Sequence, residues 1–416
     1  MDAIANLNAP LAGPADSEGT LRVPQITVHG FCETPEVIAA LQAIGADRRM
    51  SRANLAVHPA GIPVALELYG RAATPNLIIL ENRAQPSEFY AQLDALADVC
   101  SPGTKVIVIG YTNDISLYRE LLARGVSEYM VAPVDPISII AVIARLYAGA
   151  GATRLGRSFA FIGAKGGVGS STVAHNVASA MATSYDSDVI LADMDLSFGS
   201  AGLGFNLDQT QGIAQALQDP SRLDDVLLNR LVSKVGDHLG VLPAPASLLG
   251  LYGLEERAFE PVVELAQSTV PFVVLDIPHA WTAWVKNTLV SADEVVITAV
   301  PDLVSLRNAR NLVDLLRQAR PNDEPPKLVL NQVGVPKRAE IKPEKFAAAL
   351  QLEPLAVIPF DPQRFSAAAN KGQMLADVAA NSTAAKAFAK VAQTISGRRR
   401  TTPRTNRFGL GRLLKR

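Results

Sequence analysis

The sequence predicts an α/β protein with two doubly wound domains, the second built on a mostly parallel sheet. Three observations lead to this fold class. Short apolar runs alternate with helical patterns between residues 25 and 147, and longer apolar runs do so between residues 157 and 395. Alternation of this kind is typical of parallel sheets covered by helices on both faces. Between the two regions, residues 148–156 are mostly small and lack a periodic apolar face, which indicates a linker.

Composition supports a globular, two-domain chain. Of 416 residues, 48% are hydrophobic and 19% are charged, which describes a protein with a large core. The cysteines, Cys32 and Cys100, have neither metal-binding nor redox spacing, and the histidines are scattered. This argues against a zinc site, a disulfide framework and electron transfer. Neither a signal peptide nor an apolar stretch long enough to span a bilayer is recognisable. We therefore expect a cytoplasmic protein.

The two ends of the chain have compositions of their own. Residues 1–24 are rich in Ala, Asn, Pro and Gly and are expected to be disordered. Residues 396–416 contain eight Lys or Arg and no acidic residue, so the rest of the chain holds 31 basic against 40 acidic residues. Such a tail is a separate electrostatic element. It is either simply solvated or a contact to anionic lipid at the inner membrane. Nucleic acid is a less favoured partner, because interleaved aromatic residues are lacking.

The first domain has strand patterns in regular succession. They lie at residues 26–28, 55–57, 77–80, 106–109 and 129–131, with helical patterns such as 87–99 and 115–123 between them. Their spacing, and the phrases at 75–81 and 125–133, resemble a response-regulator receiver domain of the CheY-like kind. Receiver chemistry needs an aspartate after the third strand, an acidic pair after the first and a lysine before the proline of the fifth. Those places hold Glu81, residues 29–32 without a carboxylate, and Ala132. We interpret the domain as a pseudo-receiver for docking or dimerisation, which disfavours a phosphorelay role.

In the second domain a glycine-rich stretch follows the first strand pattern and precedes a helix. The strand patterns lie at 159–162, 189–192, 239–242, 272–275, 294–299, 327–330 and 355–358, with a helix over 306–318. Glycines let a backbone approach an anion, and the helix that follows adds its positive end. The candidate nucleotide-binding residues are Lys165, Gly166, Gly167, Val168, Gly169, Ser170, Ser171 and Thr172. Ser171 occupies the place of the magnesium ligand in a P-loop.

The stretch departs from the P-loop pattern G-x-x-x-x-G-K-[ST] at two places, because Ala164 replaces the first glycine of the pattern and Ser170 replaces the lysine. A turn that binds nothing is the alternative.

The order Lys165-Gly166-Gly167 resembles the deviant Walker A motif, K-G-G-x-G-K-[ST], of the ParA/MinD family of P-loop ATPases. The resemblance implies ATP and Mg²⁺ as cofactors and a homodimer in which the early lysine, Lys165, reaches the partner's nucleotide. This chain keeps that lysine and lacks the late one.

Carboxylates end two of the strand patterns. Asp193 and Asp195 follow residues 189–192, and residues two apart on a strand point to the same side. Like charges this close need a metal, a lysine or hydrogen bonds to stay ionised; a solvated loop pair is the alternative. The ParA/MinD resemblance makes Asp195 a catalytic residue that orients water and supports magnesium. Asp276, after residues 272–275, resembles a Walker B aspartate, so the predicted metal-binding residues are Ser171, Asp195 and Asp276.

An adenine site is also expected. Asn331, after residues 328–330, resembles the family's adenine-reading asparagine, whose amide offers donors and an acceptor. Pro359, Phe360 and Asp361 resemble the loop that packs beside the adenine. Strand-end turn chemistry is the alternative for both.

The missing lysine should weaken the site. A charge-assisted hydrogen bond is worth ~1.5–3 kcal/mol, so affinity should fall about ten- to a hundredfold. Hydrolysis should suffer more, since a cation on the transferred phosphoryl group can supply about 10³–10⁵ in rate. We expect a nucleotide-bound dimer with at most weak ATPase activity; a nucleotide-independent dimer is the alternative.

A divergent receiver followed by this loop, with the run Ser170 to Asn176, looks like the CpaE/TadZ proteins of Flp/Tad (type IVb) pilus assembly, over residues 25–395. The resemblance implies a localisation factor, placed at the cell pole, that acts on components of the pilus secretion machinery. The alternative is a ParA-type partition ATPase that binds non-specific DNA.

Overall fold

The computed structural model describes residues 22–148, 155–207, 211–218, 220–245, 248 and 253–398. By internal contacts the chain divides into two compact units, residues 1–154 with 317–324, and residues 155–316 with 325–416. Most of the predicted disordered N-terminus, the linker and the basic tail lie outside the described residues. Val23, placed in the disordered segment by its sequence, is instead buried, and its N–H donates to Arg49 O.

The first unit alternates strands with helices. Its elements are β1 (Thr27–Phe31), α1 (Pro35–Gly45), β2 (Asn54–His58), α2 (Ile62–Tyr69), β3 (Leu77–Glu81), α3 (Pro86–Val99), β4 (Lys105–Gly110), α4 (Ile115–Ala123), β5 (Glu128–Val131) and α5 (Pro136–Tyr147). The parallel sheet has the order β2-β1-β3-β4-β5. That order belongs to the flavodoxin- and CheY-like class of doubly wound sheets and confirms the predicted fold.

The second unit is larger. Its strands are β6 (Arg157–Gly163), β7 (Val189–Asp193), β8 (Ser233–Val235), β9 (Leu239–Leu242), β10 (Phe272–Ile277), β11 (Glu294–Ala299), β12 (Lys327–Val333) and β13 (Pro354–Pro359). Its helices are α6 (Ser170–Tyr185), α7 (Ala201–Gly204), α8 (Ile213–Gln218), α9 (Asp225–Leu231), α10 (Glu260–Thr269), α11 (Ala283–Ser291), α12 (Leu303–Ala319), α13 (Pro343–Leu350), α14 (Pro362–Ala369), α15 (Leu375–Ala379) and α16 (Thr383–Ser396).

The sheet of the second unit has the order β13-β12-β11-β6-β10-β7-β9-β8. Its pairs are parallel except β8 with β9 at the edge, which is antiparallel. The mostly parallel sheet is as predicted, whereas β8 was not predicted. Since β6 lies in the interior of the sheet, the glycine-rich loop after it is at the middle of the sheet's carboxyl edge. Ligands bind at this edge in open α/β sheets.

The strands of this sheet are apolar on both faces, as helices on both sides require. Phe159 and Phe161 of β6 enter a core shared with α6 and α16, while Ala160 and Ile162 enter the core on the opposite face. All four side chains are buried. Within the described ranges, none of the helices combines the length and the hydropathy needed to cross a bilayer.

Candidate functional site

The glycine-rich loop joins the interior strand β6 to helix α6. Gly167 and Gly169 have left-handed backbones, with φ of 78° and 83°, a conformation that glycine adopts without steric cost. A Cβ added at Gly166 or Gly167 would meet nothing within 4 Å, so the loop is open there. The N-cap of α6 is Gly169, which has no side chain to pair with the first N–H groups of the helix. Such a helix end attracts anions, and the loop has the free space of a phosphate cradle.

Three polar atoms at this edge, in the first turn of α6 or on a strand next to β6, are buried and lack a hydrogen-bond partner in the described part of the chain. Two of them are Ser170 Oγ, in the first turn of α6, and Asp276 Oδ1, on the strand β10 that pairs with β6. The third, Thr298 Oγ1, lies on β11 opposite Gly163. Buried hydroxyl and carboxylate oxygens are nearly always hydrogen-bonded in native proteins. Orphaned acceptors beside a helix N-terminus fit a ligand that brings its own donors or a hydrated cation.

The carboxylate paired in register with Asp276 is that of Asp193. The two residues are register partners on the parallel strands β10 and β7, and Asp193 is fully buried. Its oxygens accept hydrogen bonds from Asp195 N (3.2 Å) and Ala201 N (2.9 Å). Burial, followed by the nearby charge of Asp276, raises the pKa of Asp193. The adjacent carboxylates therefore form a site that favours a proton or a cation.

Asp195 lies just after β7 and is partly buried. Its Oδ1 accepts hydrogen bonds from Ser197 N (3.3 Å) and Phe198 N (2.9 Å). This Asx-type turn shapes the loop after β7. The expected common orientation of Asp193 and Asp195 does not follow from strand periodicity, because β7 ends at Asp193.

A histidine contacts the carboxylate of Asp276. His175 Nε2 lies 3.1 Å from Asp276 Oδ2, and both side chains are buried. His175 is on α6, five residues beyond Ser170, so the helix that starts at the loop also contacts the end of β10. The contact fixes Oδ2 of Asp276 and leaves Oδ1 as its unpaired oxygen.

The early lysine has a partner within its own chain. Lys165 Nζ lies 2.5 Å from Asp302 Oδ2, and the two side chains are 33% and 25% exposed. Asp302 Oδ1 also accepts from Ser305 N (2.8 Å) at the start of α12. Burial acts to raise the pKa of Asp302, but the hydrogen bond from Lys165 and the others outweigh it, so this pKa lies below its usual value. Lys165 is therefore engaged beside the loop rather than pointing freely outward.

The residues expected around adenine lie at the ends of β12 and β13. Asn331 is buried, and its Nδ2 donates to Val168 O in the loop at 2.8 Å. Phe360 is 38% exposed. Asp361 caps α14, since its Oδ1 accepts from Arg364 N at 3.2 Å. Asn331 thus contacts the glycine-rich loop directly, and the side chain of Asp361 is hydrogen-bonded to the start of α14.

In the first unit, Glu81 stands where a receiver has its phosphoacceptor aspartate, and both of its carboxylate oxygens accept hydrogen bonds. Glu81 accepts from Glu33 N (2.7 Å), Thr34 N (2.9 Å), Thr34 Oγ1 (2.6 Å) and Tyr111 OH (2.5 Å). Its side chain is buried. Burial acts to raise the pKa of Glu81, yet these donors together hold it below its usual value. The carboxylate is saturated, in keeping with the interpretation as a pseudo-receiver.

Comparison with known proteins gives matches to both parts of the chain. A family model described as an AAA domain matches residues 156–327. The septum site-determining protein MinD of Bacillus subtilis (strain 168) is 28% identical over 190 residues, which cover 43% of this chain and 66% of MinD, just under two thirds. A solved structure of the pilus assembly protein CpaE from Caulobacter crescentus is 46% identical, covering 30% of this chain and 96% of that chain, with a TM-score of 0.30. A ParA family ATPase from Chlorobium tepidum is 25% identical, covering 57% and 98%, with a TM-score of 0.52.

These matches differ in what they support. The likeness to the ParA family ATPase confirms the fold class predicted for the second unit. The likeness to CpaE rests on sequence identity across nearly the whole of the solved chain, and it falls on the N-terminal part of this one.

Sequence reasoning missed several residues of the site. It considered Asp193 but assigned no role to it, and it overlooked His175 and Asp302. A histidine among the apolar positions of α6 was a usable signal, because a buried polar side chain needs a partner. Asp302 gave no comparable signal, because its contact with Lys165 depends on how distant strand ends come together.

Proposed function

Since the chain belongs to the CpaE family of pilus assembly proteins, we propose that it is a nucleotide-dependent, dimeric localisation factor for Flp/Tad pilus assembly. Its second unit is a ParA/MinD-like P-loop domain. The unit binds ATP with Mg²⁺ at the loop between β6 and α6 and hydrolyses it slowly. The pilus secretion machinery is the target, at the cell pole, with peripheral contact to the inner membrane through the basic tail.

The observation that carries the nucleotide site is the pair of buried, unpartnered oxygens, Ser170 Oγ and Asp276 Oδ1, at the end of an open glycine loop. A structural turn has no reason to leave polar atoms buried without partners, since each costs ~1–3 kcal/mol. A bound phosphate and a hydrated cation remove that cost. The donor set, a serine hydroxyl and carboxylates, is the oxygen-rich set that Mg²⁺ prefers.

Ser171 and Asp276 would hold the magnesium ion, which when bound neutralises charge on the phosphates. Other residues of the chain would bind the phosphates and support the loop. The α6 N-terminus binds phosphate oxygens, and Asn331 braces the loop from β12. Asp193 next to Asp276 adds negative charge that favours a divalent cation.

Slow hydrolysis follows from the shortage of positively charged side chains at the loop. Within residues 163–172 the single charged side chain is Lys165, and in one copy of the chain it is paired with Asp302. Charge on a transferred phosphoryl group is then poorly neutralised. A second copy whose Lys165 reaches across would supply the missing cation, so nucleotide and dimer formation stabilise one another.

The test is the mass of the full chain in solution, by light scattering, with Mg²⁺ alone, ADP-Mg²⁺ and ATP-Mg²⁺. We expect an ATP-dependent dimer that Lys165→Ala abolishes with ATP binding retained. Lys386→Ala, which removes an exposed lysine on α16, is the matched control. An unchanged dimer in Lys165→Ala contradicts the proposal. Strong, salt-sensitive binding to non-specific DNA would favour the partition ATPase instead.

A further inference from the structure

Side chains from outside the glycine-rich loop hold four of its backbone carbonyls. The contacts are His279 Nδ1 with Gly163 O (3.1 Å), Asn308 Nδ2 with Ala164 O (2.9 Å), Gln332 Nε2 with Gly167 O (3.0 Å) and Asn331 Nδ2 with Val168 O (2.8 Å). They come from the loop after β10, from α12 and from the end of β12. The last two act on consecutive peptide groups in the part of the loop where the backbone is left-handed.

Peptide geometry gives these contacts a consequence for anion binding. In a planar trans peptide the C=O and the next residue's N–H point in opposite directions. When Gln332 holds the Gly167 carbonyl on its side, the N–H of Val168 is turned the other way. In the same manner Asn331 turns the N–H of Gly169. Successive N–H groups that face one concavity make an anion-binding nest.

The backbone of Gln332 has a strained conformation. Its φ is 52°, in the left-handed region that residues other than glycine rarely adopt. The pairing of β12 with β13 is irregular between Leu330 and Val333, which places Gln332 in a bulge. The guanidinium of Arg338, itself paired with Glu340, donates to Gln332 O. Strained residues held by their surroundings in this way are concentrated at functional sites.

We propose that Gln332 is a positioning residue for the nucleotide phosphates, which orients the Val168 N–H by holding the Gly167 carbonyl outward. The inference rests on the proposed nucleotide site and adds to it a residue outside the P-loop motif. It also explains why an amide side chain, rather than glycine, occupies a left-handed position. Glycine would relax the backbone but would leave the carbonyl free to turn toward the anion.

The experiment measures the Kd of ADP-Mg²⁺ by calorimetry and the Tm without nucleotide, on the full chain. Gln332→Met keeps the length and the backbone strain but removes the donor. Gln332→Gly removes both the donor and the strain. Lys337→Gly is the control, because Lys337 is exposed and also has a left-handed backbone, with φ of 64°.

We expect Gln332→Met to weaken ADP binding by about 2- to 12-fold, the effect of one neutral hydrogen bond, with little change in Tm. Gln332→Gly should weaken binding at least as much while its Tm is equal to or above that of the wild type. Lys337→Gly should leave the Kd unchanged. Unchanged binding in Gln332→Met, with or without a lower Tm, overturns the inference, as does equal weakening in Lys337→Gly. Absence of ADP binding by the wild type would refute the proposed function itself, and the inference with it.

Discussion

The contact between Lys165 and Asp302 makes a prediction about assembly. If the dimer needs Lys165 to reach the partner's nucleotide, the ion pair within one chain competes with dimer formation. Asp302→Asn removes the competing charge. It also keeps the hydrogen bond to Ser305 N, because asparagine and aspartate are similarly good N-cap residues. The substitution should therefore free the lysine with little effect on α12.

The size of the effect follows from the exposure of the pair. The Nζ–Oδ2 distance is short, at 2.5 Å, but the side chains are 33% and 25% exposed, so solvent screens their attraction. Such pairs are worth ~0.2–1 kcal/mol. A symmetric dimer uses two lysines, and the gain of ~0.4–2 kcal/mol corresponds to a dimer Kd lower by about 2- to 30-fold.

The assay is sedimentation equilibrium of the full chain with ATP-Mg²⁺ over a range of protein concentrations. Asp224→Asn is the matched control, because Asp224 is an exposed N-cap of α9 that accepts from Leu227 N. It should leave the dimer Kd unchanged. A dimer of Asp302→Asn that is as weak as the wild type, or weaker, would show that the ion pair does not restrain Lys165.

Two further predictions concern the missing lysine and the closed receiver site. Ser170→Lys should tighten ATP binding by about 10- to 100-fold and raise hydrolysis by about 10³-fold or more, measured by calorimetry and phosphate release; unchanged values would contradict the account of Ser170. Glu81→Gln should cost ~1.5–3 kcal/mol of unfolding free energy near pH 7, followed by urea titration. Because the folded pKa of Glu81 is below its usual value, its stabilisation is present above pH ~4.5 and is lost as the pH falls through the folded pKa. The unfolding free energies of the wild type and of Glu81→Gln should therefore converge in acid. A difference between them that stays constant down to pH 3 would rule out Glu81 as the titrating group.

The sheets could be predicted from the sequence because parallel strands buried on both faces are continuous apolar runs. Residues 272–275 and 295–297 are of this kind, and both lie in strands. The edge strand β8 could not be predicted, since Ser233-Lys234-Val235 has a charged residue at its centre and only three residues. Its pairing with β9 is set by the turn that joins them.

The sequence places candidate site residues only where they stand at the ends of recognisable strands. The loop from Lys165 to Thr172 and the carboxylate of Asp276 stand at strand ends, and strand order alone brings them to one edge. Contacts between segments far apart in the chain, such as Lys165 with Asp302 or Gln332 with Gly167, depend on the register of the folded sheet. No local pattern shows them. The roles predicted for all the site residues remain predictions, and for Asn331 and Asp195 the hydrogen-bond partners of the side chains are now known.

The most direct test is a crystal structure of the full chain with a non-hydrolysable ATP analogue and Mg²⁺. We expect the phosphates against the loop from Lys165 to Ser171, the ion beside Ser171 and Asp276, and Lys165 released from Asp302 toward the nucleotide of a second copy. A loop that is empty at saturating analogue, or filled by its own side chains, would contradict the account.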